Sequence, residues 1–157
     1  MSTFLGKYEA KADVKGRIFI PAAYRKILPE GEKDRVVMRL DDDNDFLVIY
    51  PESVWNTKMD KLAENTDEWT PEDELFQMQF VSEAEYLDID SQGRILLSKK
   101  HLKSISIENS EVLFVGMKNK FTIWSKAKYE QTLMPRAEFA KLKREKMSKK
   151  ALTQDGE

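Results

Sequence analysis

The chain has 157 residues, 41% of them apolar and 34% charged, with no cysteine, one histidine and a formal net charge of −2. That length holds one ordinary domain or two small lobes on a shared core, and the missing cysteines exclude disulfides and thiolate metal sites, which suits a reducing cytoplasm. No run approaches the roughly 20 apolar residues that cross a bilayer, and the opening MSTFLGKYEAKADVKG lacks the apolar stretch of a signal peptide.

The weakly negative total conceals strong segregation. Residues 1–27 carry six Lys/Arg against two Asp/Glu, and residues 91–128 carry eight against two. Between them, residues 28–52 carry three against eight and residues 53–90 two against eleven. Two basic blocks in an acidic chain keep an anionic partner in view.

In chain order, Tyr8–Ala12 alternates weakly, as a half-buried strand does. Lys15-Gly16 supplies a tight turn, because Gly reaches positive φ without a Cβ clash. Arg17–Ile20 is a β-rich second strand, and Pro21 opens a short helix, "PAAYRKIL". Val36–Leu40 and Phe46–Tyr50 are two more strands joined by the polar "DDDND". "PESVWNTKMDKLAE" then places Trp55, Met59 and Leu62 at helical spacing, and "TPEDELFQMQFVSEA" starts a connecting helix with Thr-Pro. The order then repeats: strands at Glu85–Ile89 and Arg94–Leu97, a short helix near Lys99–Ser104, strands at Val112–Val115 and Phe121–Trp124, and a helix from about Ala127. The tail from Arg136 reads as a polar helix that frays after about Lys150.

The repetition extends to letters. "DVKGR" at 13–17 and "DSQGR" at 90–94 lie 77 residues apart, and each is followed by three apolar residues. At an offset of about 74, Ile49 meets Ile123, Tyr50 meets Trp124 and Trp55 meets Tyr129. This is an internal duplication: repeat 1 over 7–54, connecting helices over 55–82, repeat 2 over 83–126, and a C-terminal helix with a disordered tail over 127–157. Units of about 45 residues are too small to stand alone. The expected fold is therefore α+β, two tandem ββαββ repeats sharing one core as a pseudo-twofold β-barrel with peripheral helices.

The two Gly-Arg strings fall in the two basic blocks. Asp13 and Asp90 are suited to accept turn N–H groups and to pair with Arg17 and Arg94 across a hairpin turn, with Gly16 and Gly93 at the tips. A pair at the surface contributes only about 0–1 kcal/mol, so stapling the turn accounts for the aspartates better than for the arginines. A planar guanidinium at each tip suits bidentate contact with phosphate or guanine. Lys11 and Lys15 add cations to the first tip, whereas Gln92 stands where Lys15 would repeat, so the first hairpin is expected to be the principal reader.

The order strand–DxxGR–strand–Pro–helix–strand–strand, duplicated, with "FLGKYEAKADVKGRIFIPAAYRKIL" and "LDIDSQGRILL…LFVGMKNKFTIWS", resembles the MraZ family over roughly residues 4 to 135. Its repeats are similar to the AbrB-like swapped-hairpin DNA-binding unit. The resemblance implies a transcription factor of the bacterial division and cell-wall gene cluster, a ring-shaped homo-oligomer bound to double-stranded DNA at promoter direct repeats. It would act at the nucleoid through an arginine that maps onto Arg17 and Arg94. The chain departs from the family pattern in two places: Ser98 replaces a Pro, and the connecting "PEDELFQ" is acidic where relatives often carry Arg.

Two other readings compete. The acidic stretch 53–90, with Trp69, Leu75, Phe76 and Phe80, is a candidate surface for a protein-assembly scaffold that binds no DNA. An AbrB-like antitoxin is the other, although such chains usually carry one copy and a disordered toxin-binding tail. "DDDND" at 41–45 lacks the Gly and Glu of a calcium loop and reads as a solvated turn. His101 has no nucleophile constellation around it, and Trp55, Trp124 and Tyr129 read as packing residues. "NKF" at 119–121 reads as a hairpin turn, and "KLKREKMSKK" as a solvated helix that can add phosphate contacts. No P-loop, paired-carboxylate pocket or metal-ligand spacing points to an enzyme, a cofactor, a small-molecule substrate or a metal.

Overall fold

The computed structural model describes residues 3–43 and 45–155, and side chains as far as residue 148. The first repeat contributes β1 (Lys7–Lys11), β2 (Arg17–Phe19), α1 (Ala22–Ile27), β3 (Arg35–Leu40) and β4 (Leu47–Tyr50). The connecting helices are α2 (Glu52–Asn65) and α3 (Pro71–Ser82). The second repeat gives β5 (Ala84–Asp88), β6 (Arg94–Leu96), α4 (Lys99–Ser104), β7 (Glu111–Met117) and β8 (Lys120–Trp124), followed by α5 (Lys126–Thr132) and α6 (Arg136–Asp155). The class is α+β with antiparallel pairing throughout, and each repeat runs ββαββ as expected.

The pairing partners depart from the simple hairpin expected at each Gly-Arg string. β1 pairs with β7 and β2 with β6, both from the other repeat. β5 likewise pairs with β3. The strands on either side of a DxxGR turn diverge, and each completes its ladder on the opposite repeat. The resulting six-stranded sheet has the order β1-β7-β8-β4-β3-β5, beside a separate two-stranded ribbon of β2 and β6. Exchanging the repeats turns that order into its own reverse. No closed ring of hydrogen-bonded strands forms among the described residues; β1 and β5 are the edges of an open sheet.

The core lies between sheet and ribbon. Ile18, Ile20, Ile95 and Leu97 from the ribbon side meet Val36, Ile49, Phe114, Phe121 and Ile123 from the sheet, all buried. Burying a Leu, Ile or Phe side chain contributes about 1.5–3 kcal/mol, and neither repeat owns enough of them alone. Tyr24 of α1 is packed edge-on against Phe4 and donates its hydroxyl to the Gly6 carbonyl at 2.6 Å. Burial pushes its pKa up to about 12.

A smaller cluster covers the outer face of β3 and β4, where Val37, Val48 and Tyr50 pack under Trp55 of α2. Phe80 of α3 stacks on Trp55 at 6.1 Å between centroids. The matched aromatics of the two copies therefore make matched contacts: Tyr50–Trp55 and Trp124–Tyr129 are each 5.4 Å apart. Phe80 is the half-buried apolar residue of α3, while Leu75, Phe76, Met78 and Val81 stay exposed.

The helix starts differ where the sequences differ. Pro21 sits one residue before α1 with φ −50°, without a side-chain cap. Ser98, in the matching place, caps α4: its Oγ accepts from the His101 N–H at 3.2 Å, and His101 Nδ1 accepts from the Ser98 N–H at 3.1 Å. His101 thus completes a capping box, and its Nε2 lies 3.2 Å from Glu85 Oε1. Thr70 precedes Pro71 at the start of α3, but its hydroxyl goes to Asp67 rather than to the helix. Lys118, with φ 67°, and Asn119 form the turn between β7 and β8, one residue earlier than the turn read at 119–121, because Lys120 and Phe121 already pair with β7. In "DDDND" the Asp43 N–H donates to Asp41 at 3.2 Å, and Asn44 lies outside the described residues. Helical backbone continues past Lys150 to Asp155; residues 156 and 157 lie outside the described residues.

Candidate nucleic-acid interface

Each DxxGR string folds into the same closed turn. Asp13 Oδ1 accepts from the N–H groups of Lys15 and Arg17, each at 2.9 Å, while Oδ2 binds Arg17 Nε at 2.6 Å. In the second copy Asp90 Oδ1 accepts from Gln92 and Arg94, each at 2.9 Å, and Oδ2 binds Arg94 Nε at 2.8 Å. Backbone bonds finish the loop: Asp13 N–H to Arg17 O at 3.0 Å and Gly16 N–H to Asp13 O at 2.9 Å, with Asp90, Arg94 and Gly93 repeating the pattern. The backbone N–H of the arginine is the main cause holding each aspartate carboxyl below its usual range.

Gly16 and Gly93 have φ of 90° and 84°, in the left-handed region that costs other residues about 1–2 kcal/mol. Each also carries a link to the other repeat. Gly16 O accepts from Leu97 N–H, and Gly93 O accepts from Ile20 N–H, both at 2.9 Å. The turns are therefore locked to the partner repeat as well as to themselves.

In the ribbon, Arg17 faces Leu96, Ile18 faces Ile95 and Phe19 faces Arg94. Alternation sends Ile18 and Ile95 into the core and sets Arg17, Phe19, Arg94 and Leu96 together on the outer face. The two arginines occupy diagonal positions, which in an antiparallel pair lie about 7–8 Å apart. Phe19 and Leu96 are each 54% exposed beside them. Only Nε of each guanidinium is held; among the described residues, the terminal amino groups of Arg17 and Arg94 make no hydrogen bond.

The two arginines are not equally open. The Arg17 side chain is 38% exposed and the Arg94 side chain 20%. Arg94 leans over the Phe19 ring, 5.8 Å from its centroid, while Arg17 faces the aliphatic Leu96. Lys15 and Val14 form the fully open tip of the first turn, Val14 at 101%. Lys11 ends β1 directly opposite Glu111 in the ladder. The structure thus brings Arg17 and Arg94 onto one face, with Lys15 at the adjoining tip, and leaves Lys11 beside an acidic neighbour.

One cation beside the second turn is absent from the motif. Arg25 of α1 lies across the second turn, its Nη1 3.4 Å from Gln92 O, where a Cβ on Gly93 would collide with the guanidinium. The signal in the sequence was an asymmetry: Arg25 falls opposite Leu102 when the copies are aligned.

A duplicated α+β chain whose repeats complete each other's strands and display paired, aspartate-held arginines belongs among the tandem-repeat proteins of swapped-strand type. Comparison with known proteins narrows this. A family model described as the MraZ protein, and as antitoxin-like, matches residues 3–77 and again residues 80–154. The chain belongs to the MraZ family. A protein of Bacteroides fragilis named Transcriptional regulator MraZ is 41% identical over 157 residues, covering 100% of this chain and 99% of that protein. Its namesake in Bacteroides thetaiotaomicron is also 41% identical over 157 residues. That of Phocaeicola vulgatus is 38% identical over 138 residues, or 88% of this chain and 89% of that protein. No described helix is long and apolar enough to cross a membrane.

Proposed function

We propose that the chain is a transcriptional regulator that binds double-stranded DNA through the outer face of the β2–β6 ribbon. The observation that carries this reading is the pair of arginines on one face, each fixed at Nε by its own aspartate with both terminal amino groups free. A guanidinium positioned in advance loses less side-chain entropy on binding, and its free fork matches a phosphate or the guanine edge. A two-stranded ribbon is also a shape that enters the major groove. The names of the related proteins support the regulatory role.

In this reading the repeats act as pseudo-twofold halves, sheet on one side and ribbon on the other, and the first turn leads because Arg17 is more open and Lys15 lies at its tip. Arg17 reads bases or the groove, Arg94 takes the related place in the second half, and Lys15 and Lys11 fix register on phosphates. Asp13, Gly16, Asp90 and Gly93 hold the turns. Few cations per chain give weak grip, on the order of 10⁻⁴ to 10⁻⁶ M for non-specific contact. A ring of identical copies on tandem operator repeats multiplies such affinities by roughly 10²–10⁴, which reconciles an acidic chain with a polyanion. The exposed Leu75, Phe76, Met78 and Val81 of α3 supply apolar surface for that self-assembly. The targets are promoters of the division and cell-wall cluster, and the site of action is the cytoplasmic nucleoid.

The test is binding of Arg17→Ala and Arg94→Ala to duplexes carrying one or several upstream repeats, across a salt series. Loss is expected for both, larger for Arg17→Ala. Affinity and salt slope equal to those of the unaltered chain in both variants would remove the ribbon face from the mechanism.

A further inference from the structure

Beside the second turn lies a cavity of about 490 Å³, with Arg25, Lys26, Lys33 and Gly93 among its lining residues. We propose that it seats a phosphate of the DNA backbone, with Arg25 as the principal contact. This rests on the DNA-binding reading above and adds to it a residue outside the DxxGR strings.

Arg25 is held in place yet electrostatically unspent. Its guanidinium lies over the turn at Gly93, where the missing Cβ makes room, and Nη1 reaches Gln92 O at 3.4 Å, a long bond. Its Nε is buried without any partner. Among the described residues no carboxylate pairs with Arg25 or Lys26; Lys33 Nζ has one carboxylate, the exposed Glu30 at 3.5 Å, and donates to the Arg25 carbonyl at 3.4 Å. Two acids also line the cavity, Asp34 and Asp90. Asp90 already accepts from Arg94 and two backbone N–H groups, which leaves the cavity net cationic.

Comparison of the two turns gives the reason for a cation here. The first turn carries Lys15 at its tip and the second carries Gln92. The equivalent bonds Ala12 N–H to Ser110 O and Ile89 N–H to Asp34 O, both at 2.8 Å, place Asn109 opposite Lys33, and the repeat alignment places Leu102 opposite Arg25. Each turn thus has a local cation where the other lacks one: Lys15 at the first tip, Arg25 and Lys33 behind the second. A polyanion that reaches both turns would meet positive charge at each. The second turn draws it from the first repeat, through the fold and not through the motif.

The experiment measures the affinity of the full-length chain, Arg25→Gln and Arg25→Lys for a duplex from upstream of the chain's own gene and for an unrelated duplex, across a salt series. Thermal melting and solution mass serve as folding and assembly controls. Arg25→Gln keeps a donor for Gln92 O but loses the charge. Binding to both duplexes should weaken roughly three- to tenfold at 0.1 M salt, and the salt slope should fall by about one for each chain in contact. Arg25→Lys should keep most of the slope. Unchanged affinity and slope in Arg25→Gln, with binding by the unaltered chain intact, overturns the phosphate seat alone. Loss of affinity with unchanged slope in both variants assigns Arg25 a purely structural role and also overturns it. If the unaltered chain binds neither duplex, the DNA reading falls and the seat with it.

Discussion

Ile18 of the first repeat and Ile95 of the second face each other at the centre of the β2–β6 ribbon, at 0% and 1% exposure. This contact fixes the ribbon to the core, and the outer face inherits its geometry from it. Truncating either residue to Ala should cost about 2–5 kcal/mol in urea unfolding. The double variant should cost less than the sum, because both changes empty the same space. Full additivity would show that the two repeats do not share the site.

Gly16 and Gly93 share one backbone conformation but not one neighbour. A Cβ at Gly16 would run into the Leu97 carbonyl, which is backbone, whereas at Gly93 it would meet the movable Arg25 side chain. Both Ala variants should lose about 1–2 kcal/mol to left-handed strain. Gly16→Ala should lose more, because the Leu97 carbonyl it meets is backbone and cannot swing aside as the Arg25 side chain can. Melting temperatures in the order unaltered chain, Gly93→Ala, Gly16→Ala check this; the reverse order would contradict it.

The acid side of the stability profile should report the two aspartates. Both have folded pKa values below the usual carboxylate range, held there first by the backbone N–H groups of Arg17 and Arg94. A depressed folded pKa means that the stabilisation is present above the unfolded pKa and is lost as pH falls through the folded one. The turns should therefore stay closed down to mildly acidic pH and open only below the ordinary carboxylate range. Carboxyl chemical shifts of Asp13 and Asp90 followed by NMR test the direction. In Asp13→Ala the amides of Lys15 and Arg17 should exchange faster with solvent, while those of Gln92 and Arg94 keep their rates.

Thr122 is fully buried in β8 and links two groups. Its hydroxyl donates to Val115 O at 2.9 Å and accepts from the Trp124 indole N–H at 2.8 Å. Thr122→Val keeps the shape but strands the indole donor, at a cost of about 1–3 kcal/mol. Reduced stability in urea, with an altered Trp124 emission, is the expected result. A neutral substitution would mean that water reaches the indole.

Much of this was legible from residues alone. Apolar period and turn chemistry located all eight strands, α2 and α3, because those signals are local: Pro71 starts a helix and Gly16 permits a turn wherever they occur. The duplicated DxxGR strings identified the arginines and their aspartates for the same reason, since all five bonds of each staple lie within five residues. Pairing was not legible. Nothing in "YEAKADVKGRIF" states that its two strands diverge onto β7 and β6, because a strand's partner is chosen by which apolar faces can be buried together.

The sequence by itself determined two ββαββ units, an uneven charge pattern and a self-contained arginine staple in each copy, all consequences of short-range geometry and backbone preference. Tertiary structure alone decided that the two staples share one ribbon face, that Phe19 covers Arg94 while Arg17 stays open, and that Arg25 crosses to the opposite repeat's turn. Those relations join residues about 70 to 80 positions apart, and they exist only because each repeat must bury its apolar strands against the other.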